Sequence, residues 1–288
     1  MKIPTKKLNN GFEMPIYGLG TWQMGGGRTK DTTNDEADIS AIKNAIELGV
    51  THIDTAEKYA EGHAEELVGK AIQGYDRKNI FLVTKVAEDH LRYNDVFASL
   101  NKSLERLQTD YLDLYMIHGP SPTIPIEETM KAMDEIRGKG LAKNIAVSNF
   151  SLERFQKAKA ASNSPIVAGQ YHLNLKYREA ERKGIVEYFQ KNDVMFIAWR
   201  PLQKGMLLQQ KQDILTEMAQ KYHKTPSQIA LNWLISQKNI VTLSKTRSLD
   251  HLKENLGALD FTMGSIDIER LRNEYPGQED ISDAVPLL

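Results

Sequence analysis

Short apolar runs rich in β-branched residues alternate with amphipathic segments along the whole chain. Each run has the length and composition of a strand, and each amphipathic segment has the spacing of a helix with one apolar face. The first such segment, NDEADISAIKNAIELG, places Ile39, Ile42 and Ile46 on one stripe and ends at Gly49. The pattern predicts eight strands, which begin near Ile16, His52, Ile80, Leu112, Asn144, Ile166, Val194 and Ile240.

Eight strand–helix units in a chain of 288 residues favour one α/β architecture. No linker rich in Pro, Gly or Ser and no low-complexity segment divides the chain, so we expect a single domain over residues 1–288. A closed (β/α)8 barrel accommodates this number of units better than an open doubly wound sheet does. The predicted fold class is therefore an α/β TIM barrel.

Three additions to the barrel are expected. Residues 1–15 contain Asn-Gly between short flanks, which is the signal of a two-residue hairpin turn, and we place this hairpin at the bottom of the barrel. The segment DILTEMAQKYHK predicts an extra helix near the C-terminus, and Thr225 and Pro226 then begin the next helix as N-cap and first-turn residue. Residues 276–288 form a C-terminal tail over the barrel mouth.

The composition narrows the classes of function. The 37 basic and 38 acidic residues nearly cancel, so the chain has no overall field that would attract nucleic acid or an acidic membrane. The absence of cysteine excludes disulfides, thiolate nucleophiles and cysteine metal sites. The segment MKIPTKKLNN lacks the apolar centre of a signal peptide, and no apolar run approaches the roughly 18 residues that span a bilayer. We expect a cytoplasmic monomer that binds neither nucleic acid nor membranes.

Polar side chains follow three neighbouring strands at the points where these strands end. Asp54 and Tyr59 follow the second strand, Lys85 ends the third and His118 ends the fourth. Each residue alone has a purely structural interpretation. Asp54 could cap a helix, Tyr59 could lie at the rim, Lys85 could extend to solvent and His118 could be a core histidine. Because the carboxyl ends of barrel strands meet at one face, the four residues together favour an active site there.

Three long motifs resemble those of the aldo-keto reductase family. HIDTAEKYAEGHAEELVG is similar to the first family signature, with Asp54, Tyr59, Glu65 and Gly69 in step. GLAKNIAVSNF resembles the family loop that carries a serine and an asparagine, and LSKTRSLDHLKEN resembles its cofactor segment. The similarity extends from the hairpin to about Asp260. The resemblance implies an enzyme that reduces aldehydes or ketones to alcohols with a nicotinamide cofactor.

The family mechanism assigns a role to each of the four polar residues. A hydride moves from the nicotinamide to the carbonyl carbon, and Tyr59 donates the proton that the carbonyl oxygen needs. Lys85 provides a positive charge that stabilises the phenolate form of the tyrosine. Asp54 keeps the lysine charged, and His118 orients the carbonyl oxygen.

The resemblance also implies a set of cofactor contacts. Ser148, Asn149 and Gln170 would hold the nicotinamide carboxamide, and Trp199 stands where the family usually has a tyrosine that stacks on the nicotinamide. Arg200 and Lys204 have two interpretations each. They either bind the pyrophosphate of the cofactor or are solvated charges at the rim of the barrel. The further contacts implied are Gly20, Thr21, Asp54 and Leu202.

The adenosine end of the cofactor is expected near the C-terminus. Lys245 and Arg247 would bind the 2′-phosphate, because a guanidinium suits bidentate contact with phosphate. The helix that begins at Ser248 adds its dipole. We therefore expect NADPH in preference to NADH, which would bind more weakly. The other contacts implied at this end are Thr246, His251, Glu254 and Asn255.

Trp22, Tyr59, His118 and Gly119 are the expected substrate contacts. The family often has tryptophan directly after the catalytic histidine, whereas this chain has Gly119. The glycine either serves a backbone turn that needs a positive φ, or its missing side chain leaves an open pocket for bulky carbonyl compounds, with Trp22 as the opposite wall.

Other functions remain as alternatives. His52 and Asp54 form an H-x-D pair, but no complementary histidine cluster accompanies it and Lys85 would repel a cation, so we expect no metal site. Lys85 could instead form a Schiff base in an aldolase. A sensor with the reductase fold and little turnover is the third alternative. The segment GGGRTK, Gly25–Lys30, is not a phosphate-binding loop and is expected to form a mobile lid.

Overall fold

The structure is a computed structural model that describes residues 2–209 and 213–287. Its strands are β1 Thr5–Lys7, β2 Glu13–Pro15, β3 Tyr17–Gly20, β4 His52–Asp54, β5 Phe81–Val86, β6 Leu114–Ile117, β7 Ile145–Ser148, β8 Ile166–His172, β9 Met195–Trp199 and β10 Ile240–Ser244. Strands β3 to β10 close into a barrel in the order β10-β3-β4-β5-β6-β7-β8-β9, and β1 and β2 pair as an antiparallel hairpin. The predicted TIM barrel is confirmed, and its strands begin close to the predicted positions.

Helices follow the strands as the periodicity predicts. They are α1 Asp35–Glu47, α2 His63–Ile72, α3 Tyr93–Leu107, α4 Ile126–Gly138, α5 Leu152–Ala161, α6 Glu179–Arg182, α7 Ile185–Lys191, α8 Met206–Gln209, α9 Asp213–Tyr222, α10 Pro226–Ile235, α11 Leu249–Leu256 and α12 Ser265–Glu274. The extra helix expected before Thr225 is α9. Within the described part of the chain, no helix combines the length and the apolar character needed to cross a bilayer.

The N-terminal hairpin has a longer turn than Asn-Gly alone predicts. Its backbone pairing extends to Leu8, whose N–H donates to the carbonyl of Phe12 at 2.8 Å, and Gly11 then closes a turn in the left-handed region with φ +89°. This is the three-residue loop with a final left-handed glycine rather than a two-residue turn. Lys6 donates to the carbonyl of Ile240 at 2.8 Å, which fixes the hairpin at the start of β10.

The chain forms two compact units. The first is built on Gly18–Gly169, and within it the helices α1 to α5 pack against one another in chain order. The second contains Ile3–Tyr17 and the chain from Gln170 onward, and α10 is buried there against α9, α11 and β10. Thr225 caps α10 as predicted, and Gln228 completes a capping box with it.

Gly69 allows α2 and α3 to approach closely. A Cβ at this position would lie 2.3 Å from the carbonyl oxygen of Arg106 and 3.0 Å from the carbonyl carbon of Leu107. These are backbone atoms, so Gly69→Ala must push the helices apart. We expect it to lower the free energy of unfolding by about 1–3 kcal/mol, measured by urea denaturation.

Gly138, in the last turn of α4, is the matched control for that substitution. A Cβ there would meet nothing within 4 Å, so Gly138→Ala should stabilise the protein by about 0.4–1 kcal/mol through the unfolded chain. An equal effect of the two substitutions would contradict the role of Gly69 in helix packing.

Candidate active site

Four predicted side chains come together at the carboxyl ends of neighbouring strands in the first unit. Asp54 is the last residue of β4, Lys85 lies near the end of β5 and His118 directly follows β6. Tyr59 begins a 3-10 turn after β4. The parallel pairing of β4 with β5 and of β5 with β6 sets these strand ends side by side. The structure therefore brings the acid, the phenol, the lysine and the histidine to one place.

Lys85 and Asp54 form a buried ion pair. The lysine Nζ donates to Asp54 Oδ1 at 2.6 Å and to the carbonyl of Thr55 at 2.8 Å. Burial on its own would lower the pKa of Lys85, but the carboxylate of Asp54 and then the phenol of Tyr59 outweigh it, so the pKa is raised. Lys85 is therefore an ammonium ion at neutral pH. A Schiff-base lysine must be a neutral amine, which argues against the aldolase alternative.

Tyr59 lies over this ammonium. The Lys85 Nζ is 5.2 Å from the centroid of the Tyr59 ring, close enough for its positive charge to act on the hydroxyl. Burial raises the pKa of Tyr59, Lys85 lowers it, and the charge of Asp54 raises it again, with a net increase. Lys85 thus acts in the expected direction, but desolvation is stronger. The phenol keeps its proton at neutral pH and is able to donate it.

His118 packs against Tyr59 with its ring edge-on. The two ring centroids are 5.5 Å apart at an interplanar angle of 75°, and the centroid of the Trp22 ring lies 5.0 Å from that of Tyr59 at an angle of 66°. Burial, followed by the positive charges of Lys85 and Lys58, holds the pKa of His118 well below its ordinary value. The imidazole is therefore neutral at pH 7. Its Nδ1 is buried without a hydrogen-bond partner among the described residues.

The turn that carries Tyr59 has an unusual backbone. Ala60 and Glu61 have φ values of +50° and +58°, in the left-handed region that residues with a Cβ rarely adopt. The Ala60 N–H donates to the carbonyl of Gly27 at 3.1 Å, and the Glu61 carboxylate accepts from the Lys30 N–H at 3.2 Å. The GGGRTK segment, predicted to be a lid, is thus bonded to the turn beside the candidate proton donor.

Ser148 ends β7 and Asn149 directly follows it, near this cluster. Asn149 has φ +59° and donates its side-chain amide to the carbonyl of His118 at 3.1 Å. Its Oδ1 is buried and has no hydrogen-bond partner among the described residues. A buried acceptor without a donor is costly, so this oxygen suits a ligand N–H such as that of a carboxamide. Thr21 directly follows β3, and its N–H donates to the carbonyl of Asp54 at 2.9 Å. Gly20 pairs with Asp54 in the sheet.

The other predicted cofactor residues belong to the second unit. Gln170 is buried in β8, and Trp199 and Arg200 end β9. Trp199 stacks on His172, with ring centroids 4.4 Å apart and an interplanar angle of 10°, and the Arg200 guanidinium lies 5.3 Å from the centroid of the Trp199 ring. Arg200 also pairs with Asp283 at 3.6 Å, so it is not simply a solvated charge.

The sequence patterns singled out neither His172 nor its contact with the C-terminal tail. His172 Nδ1 lies 2.8 Å from Ser282 Oγ, and its Nε2 lies 2.9 Å from Gln203 Oε1. Burial lowers the pKa of His172 to about 4, so the ring is neutral. Its position at the end of a strand could have identified His172, because the same criterion identified Asp54, Lys85 and His118. Leu202 and the exposed Lys204 lie in the adjoining turn, where Lys204 has φ +56°.

The expected adenosine-binding residues follow β10. Ser248 caps α11 as predicted, because its Oγ accepts from the His251 N–H at 3.2 Å. Lys245 and Thr246 are half-buried, and Arg247 is exposed. Glu254 Oε1 accepts from Thr225 Oγ1 at 2.8 Å, and Asn255 Nδ2 donates to Tyr17 Oη at 3.3 Å and to Ser244 Oγ at 3.2 Å.

The structure contradicts one of the two interpretations of Gly119, the turn with a positive φ. Its φ lies outside the left-handed region, so the turn does not require glycine for that reason. A Cβ on Gly119 would lie 2.8 Å from Oε1 of Glu88, which shows that this carboxylate lies directly beside the glycine. The open pocket expected at Gly119 stays a prediction. Glu88 could not be identified from the sequence, because it lies in the loop between β5 and α3 and loops have no regular pattern of apolar and polar residues.

His52 and Asp54, the H-x-D pair, are the first and last residues of β4. His52 is buried beside Phe81, and both of its ring nitrogens lack a hydrogen-bond partner among the described residues. Burial, the largest effect, lowers the pKa of His52 to about 4. A Cβ on Gly18 would lie 2.4 Å from His52 Nδ1, so the glycine makes room for the ring. Across residues 2–209 and 213–287 there is no cluster of three or more His, Asp or Glu arranged to hold a metal ion.

Comparisons with known proteins agree with this geometry. The model of the Aldo/keto reductase family matches residues 17–275. The chain is 31% identical to methylglyoxal reductase YeaE of Escherichia coli, with 94% of each chain covered, and 34% identical to the glyoxal reductase of Bacillus subtilis, with 93% of this chain and 91% of the relative covered.

Solved structures give the same result. The thermostable aldo-keto reductase Tm1743, crystallised with the inhibitor epalrestat, superposes with a TM-score of 0.89 at 41% identity, covering 94% of this chain and 99% of that one. An aldo/keto reductase from Klebsiella pneumoniae in complex with NADP and acetate superposes with a TM-score of 0.85 at 30% identity, covering 99% and 100%. The chain therefore belongs to the aldo/keto reductase family and is an oxidoreductase.

Proposed function

We propose that this enzyme reduces aldehydes or ketones to alcohols with NADPH, and that Tyr59 donates the proton. The observation that carries the proposal is the arrangement of a protonated phenol against the charged Lys85–Asp54 pair, with the neutral His118 beside it. One hydride on the carbonyl carbon and one proton on its oxygen complete the reduction. The protein therefore has to position the carbonyl and supply the proton.

The cofactor supplies the hydride when it is bound, and the side chains manage the oxygen. His118 donates a hydrogen bond to the carbonyl oxygen and holds it next to the Tyr59 hydroxyl. As negative charge develops on that oxygen, the phenol proton moves to it. The resulting phenolate lies beside the Lys85 ammonium, which stabilises it, and Asp54 keeps that ammonium charged during the transfer.

The residues available for a nicotinamide cofactor fit it chemically. The unpartnered Oδ1 of Asn149 would accept the carboxamide N–H, and Ser148 and Gln170 would provide further contacts. Trp199 would stack on the nicotinamide, Arg200 and Lys204 would hold the pyrophosphate, and Leu202 would contact it from the same turn. Two similar reductases from Klebsiella pneumoniae were crystallised in complex with NADP and with NADPH, which supports a cofactor of this class.

Lys245 and Arg247 would provide the preference for NADPH. Replacing both with methionine removes the charges proposed to contact the 2′-phosphate, which NADH lacks, so NADPH should bind at least about tenfold more weakly and NADH within about twofold of the parent. Fluorescence titrations at two salt concentrations test this, and the salt dependence of NADPH binding should become flatter. Lys253→Met, on the exposed face of α11, is the control for loss of a nearby charge. Equal weakening of both cofactors would contradict the assignment.

A steady-state screen of carbonyl compounds with NADPH and with NADH tests the function directly. The names of the relatives, methylglyoxal reductase and glyoxal reductase, make small dicarbonyls the first compounds to include. Turnover with NADPH is the expected result. Tight NADPH binding without turnover on any carbonyl compound would favour the sensor alternative instead. We also propose that residues 1–288 form one barrel domain. The protein is further proposed to be a cytoplasmic monomer.

A further inference from the structure

An ion pair lies directly beside the two groups proposed to bind the carbonyl oxygen. Lys58 precedes Tyr59 in the chain, and the Glu88 carboxylate lies beside Gly119, which follows His118. The Lys58 Nζ donates to Glu88 Oε2 at 2.5 Å. The two side chains are 45% and 34% exposed, so the pair lies at the edge of the site, where a substrate can reach it. The catalytic scheme above does not use this pair.

Both charges of the pair act on the active site. After burial and Lys85, the ammonium of Lys58 is the third cause of the lowered pKa of His118. The carboxylate of Glu88 contributes, after four stronger effects, to the raised pKa of Tyr59. The pair is therefore close enough to interact electrostatically with a substrate whose carbonyl oxygen contacts Tyr59 and His118.

The charges on this side of the site cancel in pairs. Lys85 is neutralised by Asp54, and Lys58 is neutralised by Glu88. A lysine without Glu88 would attract a carboxylate on the substrate, whereas a paired lysine gives little attraction and the glutamate repels a second carboxylate. The positions of these four groups thus favour substrates without a charge next to the carbonyl.

We propose that the Lys58–Glu88 pair determines the charge selectivity of the substrate pocket, so that the enzyme prefers neutral carbonyl compounds to those that bear a carboxylate. Glu88 is the specificity-determining residue, because it neutralises Lys58 and fills the space that Gly119 leaves. The inference rests on the proposed carbonyl reduction and defines its substrate class.

Glu88→Gln tests the proposal with little change of shape. Benzaldehyde and 4-carboxybenzaldehyde serve as probes, since they differ chiefly in one negative charge. The substitution leaves Lys58 unpaired, so kcat/KM for 4-carboxybenzaldehyde should rise by at least about tenfold, while the value for benzaldehyde should stay within about twofold. Glu135→Gln removes the carboxylate of a similarly exposed ion pair with Lys139 on α4 and should change neither value.

Lys58→Met tests the same pair in the opposite direction. It leaves the Glu88 carboxylate unpaired, so 4-carboxybenzaldehyde should become a poorer substrate by about tenfold and a trimethylammonio-benzaldehyde a better one by a similar factor. The double variant should return the ratios between probes close to those of the parent. NADPH affinity should remain unchanged throughout, because neither side chain is placed at the cofactor.

Equal changes for charged and neutral probes in both variants would overturn the proposal and leave the pair a structural role. An unchanged ratio of kcat/KM values in Glu88→Gln would overturn it as well. Both outcomes leave carbonyl reduction itself intact. Absence of turnover by the parent enzyme on every aldehyde would instead contradict the proposed function.

Discussion

Tyr59→Phe should lower kcat/KM for carbonyl reduction by about two to four orders of magnitude, the usual contribution of a general acid. The substitution keeps the ring, which packs between Trp22 and His118, and removes only the hydroxyl. Because that ring geometry is preserved, the fold and the NADPH dissociation constant should not change. Steady-state rates with NADPH and a fluorescence titration of cofactor binding measure the two quantities separately.

A second tyrosine in the same unit provides the control. The half-buried Tyr75 donates its hydroxyl to Glu47 at 2.7 Å, away from the site, and Tyr75→Phe should retain full activity. Near-normal turnover by the Tyr59 variant would show that another group provides the proton. Loss of NADPH binding in that variant would show that the hydroxyl holds the cofactor instead.

The barrel and the four-residue cluster were predictable because both depend on regular spacing. Alternating apolar runs and helical stripes mark strands and helices, and parallel strands of a barrel carry their last residues to one face. Asp54, Lys85 and His118 each lie at such an end. Capping residues were equally informative, since Thr225 and Ser248 cap their helices through contacts within one turn.

Contacts between segments distant in sequence were not predictable in this way. Glu88 reaches Gly119 from a different loop, and His172 is held by Ser282 from the C-terminal tail. The direction of the Tyr59 pKa depends on how deeply the phenol is buried, and burial is a property of the folded chain. The turn of the hairpin was also mistaken, because Asn-Gly fits both the two-residue and the three-residue loop.

Lys85→Met should impair both stability and catalysis, for different reasons. The substitution leaves the Asp54 carboxylate buried without its cation, and removal of one partner of a buried pair typically costs about 3–5 kcal/mol of unfolding free energy. It also removes the charge that stabilises the Tyr59 phenolate, so we expect kcat/KM to fall by at least about two orders of magnitude. Urea denaturation measures the first effect and steady-state kinetics the second.

The double variant Lys85→Met with Asp54→Asn separates the two effects. It removes both charges, so no ion remains buried without a partner and much of the lost stability should return. Activity should not return, because Tyr59 still lacks the neighbouring cation that stabilises its phenolate form. A Lys85 variant as stable as the parent would contradict the buried ion pair as a stabilising unit. Recovery of activity together with stability would show that the lysine serves the fold and that Tyr59 transfers its proton without the ammonium.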